Sequence, residues 1–229
     1  MITRLADLHM HTTCSDGRPT PEQLAGHLLT TRLAVVAVTD HDTIEGALRV
    51  EAALAGGGPE VVIGSEVSSA DGHILALFVE RDVPPRRSAE WSIAAIHDQG
   101  GLAVAAHPYS ALLGVGDLAA RLPFDGVEVL NGSPLMEFAN ARAVRRLNRH
   151  STALLGGSDA HVSAAVGSVR TVFPGSGAAD LRAAVLARLT RPAVDRVGHV
   201  AAWPGHLGWL AWNHVRRGPQ RPAPVGSPR

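Results

Sequence analysis

The fold is set by residues 5–40, which read LADLHMHTTCSDGRPTPEQLAGHLLTTRLAVVAVTD. Residues 5–11 have the pattern of a strand, and residues 20–23 (TPEQ) have the spacing of a capping box at the start of a helix. The apolar, largely β-branched run 34–39 predicts a second strand. A strand, a helix and a second strand in succession indicate an α/β fold.

The same alternation continues to about residue 190. Further strands are predicted at 61–68, 73–79, 102–106, 126–130, 152–156 and 169–173, and helices at 43–55, 88–99, 117–121, 134–150 and 178–189. This pattern indicates a parallel α/β arrangement, either a barrel or an open sheet. We find no interdomain linker, so we expect one domain over residues 1–215. Within it, we expect the Trp-containing stretch 197–215 to be a packing segment. Residues 216–229 are rich in Pro and Arg, and we expect a disordered tail there.

Composition excludes several classes of protein. The 229 residues carry 21 basic and 21 acidic side chains, so no overall field favours a stable complex with nucleic acid. All of the basic residues are Arg, which excludes Schiff-base lysine chemistry, a phosphate-loop lysine and a carbamylated-lysine metal bridge. No signal-peptide pattern and no run of 18 apolar residues is present, so we expect a soluble cytoplasmic protein without a membrane partner. The oligomeric state is left open.

Side chains able to bind metal gather where the predicted strands begin or end. The 12 histidines outnumber all Phe, Trp and Tyr residues together. Nine candidate ligands stand out: His9, His11, Asp16, His41, Glu66, His73, His107, Asp159 and His161. The carboxyl ends of parallel strands meet at one rim, which would bring distant residues together. Mixed sets of imidazole and carboxylate suit Mn, Fe or Zn, so we expect two or three divalent ions.

Each candidate also has a purely structural interpretation. A single histidine at a strand end can be a satisfied structural residue, and Asp16 in a Ser-Asp-Gly sequence can serve a turn. Asp40 can cap the following helix, and His73 can belong to the core or the surface. The coincidence of nine such residues at one predicted rim favours a metal site.

The motifs, in their order, resemble those of the PHP superfamily, named after polymerases and histidinol phosphatase. The resemblance is carried by residues 7–12 (DLHMHT), 15–17 (SDG), 39–42 (TDHD), 64–66 (GSE), 72–73 (GH), 106–108 (AHP) and 157–161 (GSDAH). It implies a distorted (β/α)7 barrel with a trinuclear site at its C-terminal rim. By the same resemblance, the ligand sets are His9, His11, Glu66 and Asp159 for one ion, Glu66, His73 and His107 for the second, and Asp16, His41 and His161 for the third.

The resemblance further implies hydrolysis of phosphate esters by a hydroxide that bridges two ions. We expect a small phosphorylated metabolite or a nucleotide as substrate, with monoester and diester both open. Glu66 would bridge ions, Asp40 would orient a ligand histidine, and His161 or His41 would supply a proton to the leaving group. The candidate substrate contacts are Arg18, Tyr109, Asn131 and Arg142. Arginine suits phosphate recognition, although both arginines can equally be solvated surface charges.

Two other functions are considered. A hydrolase acting at carbonyl carbon could use the same bridging hydroxide, but the absence of lysine removes the common amidohydrolase arrangement. A non-catalytic metal-binding or regulatory barrel is the other alternative. The complete set of candidate ligands argues against it.

Overall fold

The computed structural model describes residues 2–134, 136–147 and 152–217 of the chain. The strands in these ranges are β1 (Thr3–Asp7), β2 (Val35–Val38), β3 (Glu60–Ser69), β4 (Gly72–Leu77), β5 (Leu102–Ala105), β6 (Gly126–Asn131), β7 (Ala153–Gly157), β8 (Val169–Pro174) and β9 (Arg191–Val194). The α-helices are α1 (Pro21–Leu28), α2 (Glu45–Leu54), α3 (Ala89–His97), α4 (Glu137–Leu147), α5 (Ala178–Leu186) and α6 (Arg196–Arg217). Two short 3₁₀ helices span Gly116–Ala120 and Ser163–Ala165.

The strands form one mixed sheet in the order β7-β6-β5-β4-β3-β2-β1-β8-β9. Strands β1, β2 and β3 are parallel, as are β5, β6 and β7. Between these two groups, β4 runs antiparallel to both of its neighbours, and β8 runs antiparallel to β1. The sheet curls into a nearly closed barrel, which confirms the predicted fold class and its distortion.

Side-chain hydrogen bonds join β7, one end strand of the sheet, to β8 and to the residue that precedes β9, the other end strand. Thr171 of β8 is fully buried, and its hydroxyl accepts a hydrogen bond from the Gly156 amide at 3.0 Å and donates to the Gly156 carbonyl at 2.9 Å. Nearby, the Thr190 hydroxyl donates to the Leu154 carbonyl at 3.0 Å. Strands β7 and β8, both fully described, are thus joined by side-chain hydrogen bonds where a backbone ladder would otherwise close the barrel.

Local sequence explains why the elements form where they do. Thr20 and Gln23 make the predicted capping box, each side chain accepting from the other residue's backbone amide. Alternate residues of a strand pack into two different apolar layers, one on each face of the sheet, because successive side chains point to opposite faces. Val35 packs in a cluster with Phe173 of β8, whereas its neighbour Val36 packs in a second cluster with Leu24 of α1. The sheet is therefore buried on both faces.

The secondary structure of the C-terminal part was not predicted from the sequence. The stretch predicted as a packing segment is the 22-residue helix α6, which contains Pro204 and the glycines 198, 205 and 208. These residues disfavour helix, so propensity alone did not predict it. Helix α6 buries Ala202 and Trp209 against the barrel, and this packing stabilises it. Most of the predicted tail, and residues 148–150 of the predicted helix 134–150, lie outside the described residues.

No helix within the described ranges has both the length and the apolar character required to cross a membrane.

Replacing Thr171, whose side chain joins β8 to β7, tests this description of the barrel. The substitution Thr171→Val leaves the Gly156 amide buried without a partner, so we expect the free energy of unfolding to fall by about 1–3 kcal/mol. Urea unfolding measures this change. The same substitution at the exposed Thr3 of β1 is the control and should change stability by less than about 0.5 kcal/mol. Equal effects at the two sites would contradict the role given to Thr171.

Candidate metal centre

The nine predicted ligands come together at one rim of the barrel. Six of them follow a parallel strand closely: His9 and His11 after β1, His41 after β2, His107 after β5, and Asp159 and His161 after β7. Asp16 lies in the loop before α1, and Glu66 lies within β3. His73 is near the start of β4. Because β4 is antiparallel to β3, its first residues lie at the rim where the parallel strands end.

Glu66 occupies the centre of the cluster and is 1% exposed. Its Oε2 atom lies 3.3 Å from Nε2 of His9, 3.4 Å from Nε2 of His11 and 3.3 Å from Nδ1 of His41. Burial raises the pKa of Glu66, but the surrounding histidines outweigh burial and hold that pKa well below its usual range. The carboxylate is therefore ionised at neutral pH.

The other oxygen of Glu66 faces two further imidazoles. Oε1 lies 2.8 Å from Nδ1 of His73 and 2.9 Å from Nε2 of His107. Each oxygen of the carboxylate thus faces its own group of histidines. This is the geometry that a carboxylate bridging two ions requires.

Two aspartates complete the cluster. Oδ1 of Asp159 lies 3.3 Å from Nε2 of His11 and 3.5 Å from Nε2 of His9. Oδ1 of Asp16 lies 3.2 Å from Nε2 of His161 and 3.8 Å from Nε2 of His41. Nδ1 of His161 lies 3.0 Å from the Asp159 carbonyl and must donate to it, so Nε2 is the nitrogen with a free lone pair.

The donor atoms fit divalent ions. Nε2 of His9, Nε2 of His11 and Nδ1 of His41 are buried without a hydrogen bond. Two ligands bound to one ion at about 2.0–2.2 Å lie roughly 3–3.5 Å apart, which matches their separations from Glu66. In the described part of the chain, four overlapping groups of these residues have ligand atoms within 4.8 Å of one another.

A buried glutamate that sequence reasoning missed lies behind the ligands. Glu128 of β6 is 1% exposed, and its Oε1 accepts from Nδ1 of His9 at 3.0 Å. Its Oε2 accepts from the backbone amide of His107 at 2.9 Å. Donation from Nδ1 leaves the Nε2 lone pair of His9 directed at the cluster. The available signal was an acidic residue in the middle of an otherwise apolar strand.

Asn131 is part of the same support. Its side-chain amide donates to Oε2 of Glu128 at 2.9 Å and to Oδ2 of Asp159 at 3.2 Å, and its Oδ1 accepts from the Ser133 amide. All of its polar atoms are thus engaged within the protein. The structure places Asn131 as a residue that positions two carboxylates, and its predicted contact with substrate remains a prediction.

Asp40 supports the loop that follows His11. Its carboxylate accepts from the Thr12 amide at 2.8 Å, from the Thr12 hydroxyl at 2.6 Å and from the Ser15 hydroxyl at 2.6 Å. A Cβ atom at Gly46 would collide with it, so the first turn of α2 must carry glycine there. Ser15 in turn lies 3.5 Å from Nδ1 of His11. Asp40 therefore reaches a ligand histidine through this loop, and its predicted catalytic role remains a prediction.

Backbone strain marks two of the ligands. His107 and Asp159 have positive φ angles of 27° and 50°, which residues other than glycine seldom adopt. The hydrogen bond from the His107 amide to Glu128 stabilises the backbone conformation at His107. Next to Asp159, the carboxylate of Asp7 accepts hydrogen bonds from the amides of Ser158 and Gly167 at 2.9 and 2.7 Å. Burial raises the pKa of Asp7 to about 6 despite these hydrogen bonds.

Helix α6 also contacts the cluster, which sequence reasoning did not predict. Nε1 of Trp209 donates to the Asp16 carbonyl at 2.7 Å, and its ring lies 3.7 Å from that of His161 between centroids. Nδ2 of Asn213 lies 3.5 Å from Oδ2 of Asp16, and Nε2 of His206 lies 3.5 Å from the His161 amide. Burial lowers the pKa of His206 to about 4. The signal was a polar and aromatic face at helical spacing, residues 206, 209 and 213.

Comparison with known proteins identifies the family. Residues 137–190 match the PHP-associated family PHP_C. The fold is similar to that of a two-domain protein from Bacteroides vulgatus that contains a predicted PHP-like metal-dependent phosphoesterase, with a TM-score of 0.66 at 18% identity over 84% of this chain and 65% of that one. The chain belongs to the PHP family.

Two curated proteins are similar in sequence to this PHP chain. The uncharacterized protein MJ1587 of Methanocaldococcus jannaschii is 40% identical over 138 residues, which is 55% of this chain and 81% of that protein. The 5'-3' exoribonuclease Rnm of Salmonella typhimurium is 37% identical over 87 residues, 35% of this chain and 30% of the relative. The chain thus spans less than a third of the exoribonuclease.

All four predicted substrate contacts, Asn131 included, lie outside the lining of the PHP metal cleft. Arg18 and Arg142 are exposed, and their guanidinium groups lie over aromatic rings, 5.6 Å from the Trp212 centroid and 4.7 Å from the Tyr109 centroid. The Tyr109 hydroxyl donates to Asp117 at 2.8 Å. The structure thus brings Arg142 and Tyr109 together, whereas Arg18 lies beside Trp212 of α6. Contact of these residues with substrate remains a prediction.

The support role of Glu128 in this PHP site is testable. The substitution Glu128→Gln keeps the shape but presents an N–H₂ group where a carboxylate oxygen accepts, so metal affinity should fall about 10–100-fold. Titration calorimetry with Mn²⁺ measures the change. Glu51→Gln, at an exposed position of α2, is the matched control and should bind as the unchanged protein does. An unaltered affinity in a folded Glu128→Gln protein would contradict this role.

Helix α6 gives a second test. Trp209→Phe keeps a ring against His161 but loses the hydrogen bond to Asp16, so we expect about tenfold weaker retention of bound metal. Metal content after dialysis against graded chelator measures retention. Trp203→Phe removes the indole donor that bonds His199 on the same helix, away from the cluster, and is the control. Equal metal loss in both variants would show that α6 acts only through general stability.

Proposed function

We propose that the protein hydrolyses phosphate esters of a small phosphorylated metabolite or nucleotide, using two or three divalent ions, Mn, Fe or Zn. The observation that carries the proposal is Glu66, a buried carboxylate whose two oxygens face five imidazole nitrogens. Ions bound there would supply an activated water and neutralise charge on phosphate oxygens. Membership of the PHP family supports the same reaction class.

The distances are consistent with the distribution of ligands expected from the family resemblance. Asp159 lies near both His9 and His11, so these residues with Glu66 would hold one ion. The 2.8–2.9 Å contacts of Glu66 Oε1 define a second group. Asp16 lies near His41 and His161, as expected for a third ion. Glu66 would then be shared by the first two ions.

Other residues of the site determine which nitrogen of each candidate ligand histidine carries the proton. Glu128 sets the tautomer of His9, and the Asp159 carbonyl sets that of His161. His161 and His41 also line the cleft. Either would pass a proton to a leaving oxygen only as a protonated imidazole that is not bound to an ion. The cleft has a volume of about 530 Å³, which suits a small substrate.

The deciding experiment uses protein reconstituted with Mn²⁺ and measures release of inorganic phosphate. The panel contains sugar phosphates, histidinol phosphate, nucleoside mono- and bisphosphates and short oligonucleotides with a 5′-phosphate. Cleavage of a diester leaves a new phosphate monoester, and a coupled phosphatase releases inorganic phosphate from that monoester. We expect turnover of one class and its loss on addition of chelator. If no compound in the panel releases phosphate although bound metal is confirmed, the result would count against the proposal and favour a non-catalytic barrel.

The substitution Glu66→Ala tests the bridging role. We expect a loss of activity of about a thousandfold or more, together with a lower content of bound metal. His97→Ala is the control, because His97 lies on the exposed surface of α3, paired with Asp125 and remote from the ligands. Circular dichroism establishes that both variants fold. Full turnover by Glu66→Ala would exclude the proposed arrangement.

A further inference from the structure

The lining of the metal cleft has two kinds of side chain. It includes seven of the candidate ligands and also the apolar residues Leu113, Met136, Trp209 and Leu210, which together are called the apolar wall. Leu113 belongs to the loop after β5, Met136 precedes α4, and the other two belong to α6. Three separate segments thus contribute apolar side chains to a cavity that a metal site alone does not require.

This apolar wall is accessible and held in place. Leu113 is 42% exposed and Leu210 is 37% exposed. The Leu113 carbonyl accepts from the His73 amide at 2.8 Å, which fixes the loop beside a candidate ligand. Trp209 is anchored by its hydrogen bond to Asp16. An apolar group on a ligand would therefore meet a preformed surface.

Charge distinguishes between possible occupants of the wall. None of the described residues that line the cleft is an arginine, and the chain has no lysine. Arg18 and Arg142 lie over aromatic rings outside it. A second phosphate on the substrate would meet no arginine among the described lining residues once the metal ions hold the first. An uncharged organic group, in contrast, would remove the exposed leucines from water.

We propose that Leu113, Met136, Trp209 and Leu210 form a subsite for an uncharged, apolar organic group of the substrate, adjacent to the phosphate site. The proposal rests on the proposed phosphoesterase function, because the ions must hold the phosphate end. It narrows the substrate to phosphate esters that carry a single phosphate and a hydrophobic group.

The experiment compares ligands that differ only in the organic group. Binding of 1-naphthylmethylphosphonate and of methylphosphonate to Mn-loaded protein is measured by calorimetry, since phosphonates resist hydrolysis. Turnover of 2-(1-naphthyl)ethyl phosphate and of glycerol 3-phosphate, both esters of alkyl alcohols, is measured in parallel. We expect the naphthyl compound to be preferred at least about tenfold in each pair, as partial burial of two leucines allows.

Substitutions locate the effect. Leu113→Ser combined with Leu210→Ser should reduce the naphthyl preference at least about fivefold and leave methylphosphonate binding unchanged. The matched control combines Leu112→Ser and Leu207→Ser, exposed leucines on the same loop and helix that do not line the cleft. The control variant should bind the naphthyl phosphonate in preference to methylphosphonate by the same factor as the unchanged protein does.

The outcomes separate the two proposals. Turnover of both esters without a naphthyl preference, or better turnover of a bisphosphate, would overturn the subsite and leave the phosphoesterase standing. A preference reduced equally in the control variant would also overturn it. Preferential binding of the naphthyl phosphonate, with no turnover of any ester, would support the subsite and count against the proposed reaction.

Discussion

A buried anion surrounded by imidazoles is the constraint on which the rest of the site depends. Removing the Glu66 carboxylate from water costs several kcal/mol unless cations or hydrogen-bond donors face it. Its partners lie at strand ends on both sides of β3, so only the curled sheet brings them together. The cluster needs positive charge, and either protonated histidines or metal ions can supply it. Burial lowers the pKa of His107, but Glu66 and other carboxylates outweigh burial and raise it.

Much of this arrangement could be predicted from the sequence because it depends on short-range rules. The His9-x-His11 spacing places two rings on one side of an extended chain, and strand ends converge in any parallel sheet. His73 was the less obvious member, since it begins a strand. Only four residues separate the strands predicted at 61–68 and 73–79, which is too few for a parallel crossover and implies that β4 reverses direction. That reversal brings the start of β4 to the rim.

Other parts depend on tertiary contacts that no local pattern encodes. Glu128 lies in an apolar strand and was passed over, because its partners are the His9 ring and the His107 amide, far away in sequence. Helix α6 was missed for a different reason. Its glycines and Pro204 lower helix propensity, and only packing on the barrel compensates. The sequence therefore predicted the cluster of candidate ligands more fully than the residues that position it.

The side-chain junction at Thr171 has a consequence for motion. Local opening of a protein begins where few backbone hydrogen bonds must break, and the junction between β7 and β8 is such a place. Asp159 and His161 follow β7 directly, so opening there would detach their backbone from the rest of the rim. Amide exchange should accordingly be faster at Gly156 than in the middle of β2, and exchange of bound metal with solvent should follow the same opening. The route by which ions enter and leave would then be the seam of the barrel as well as its mouth.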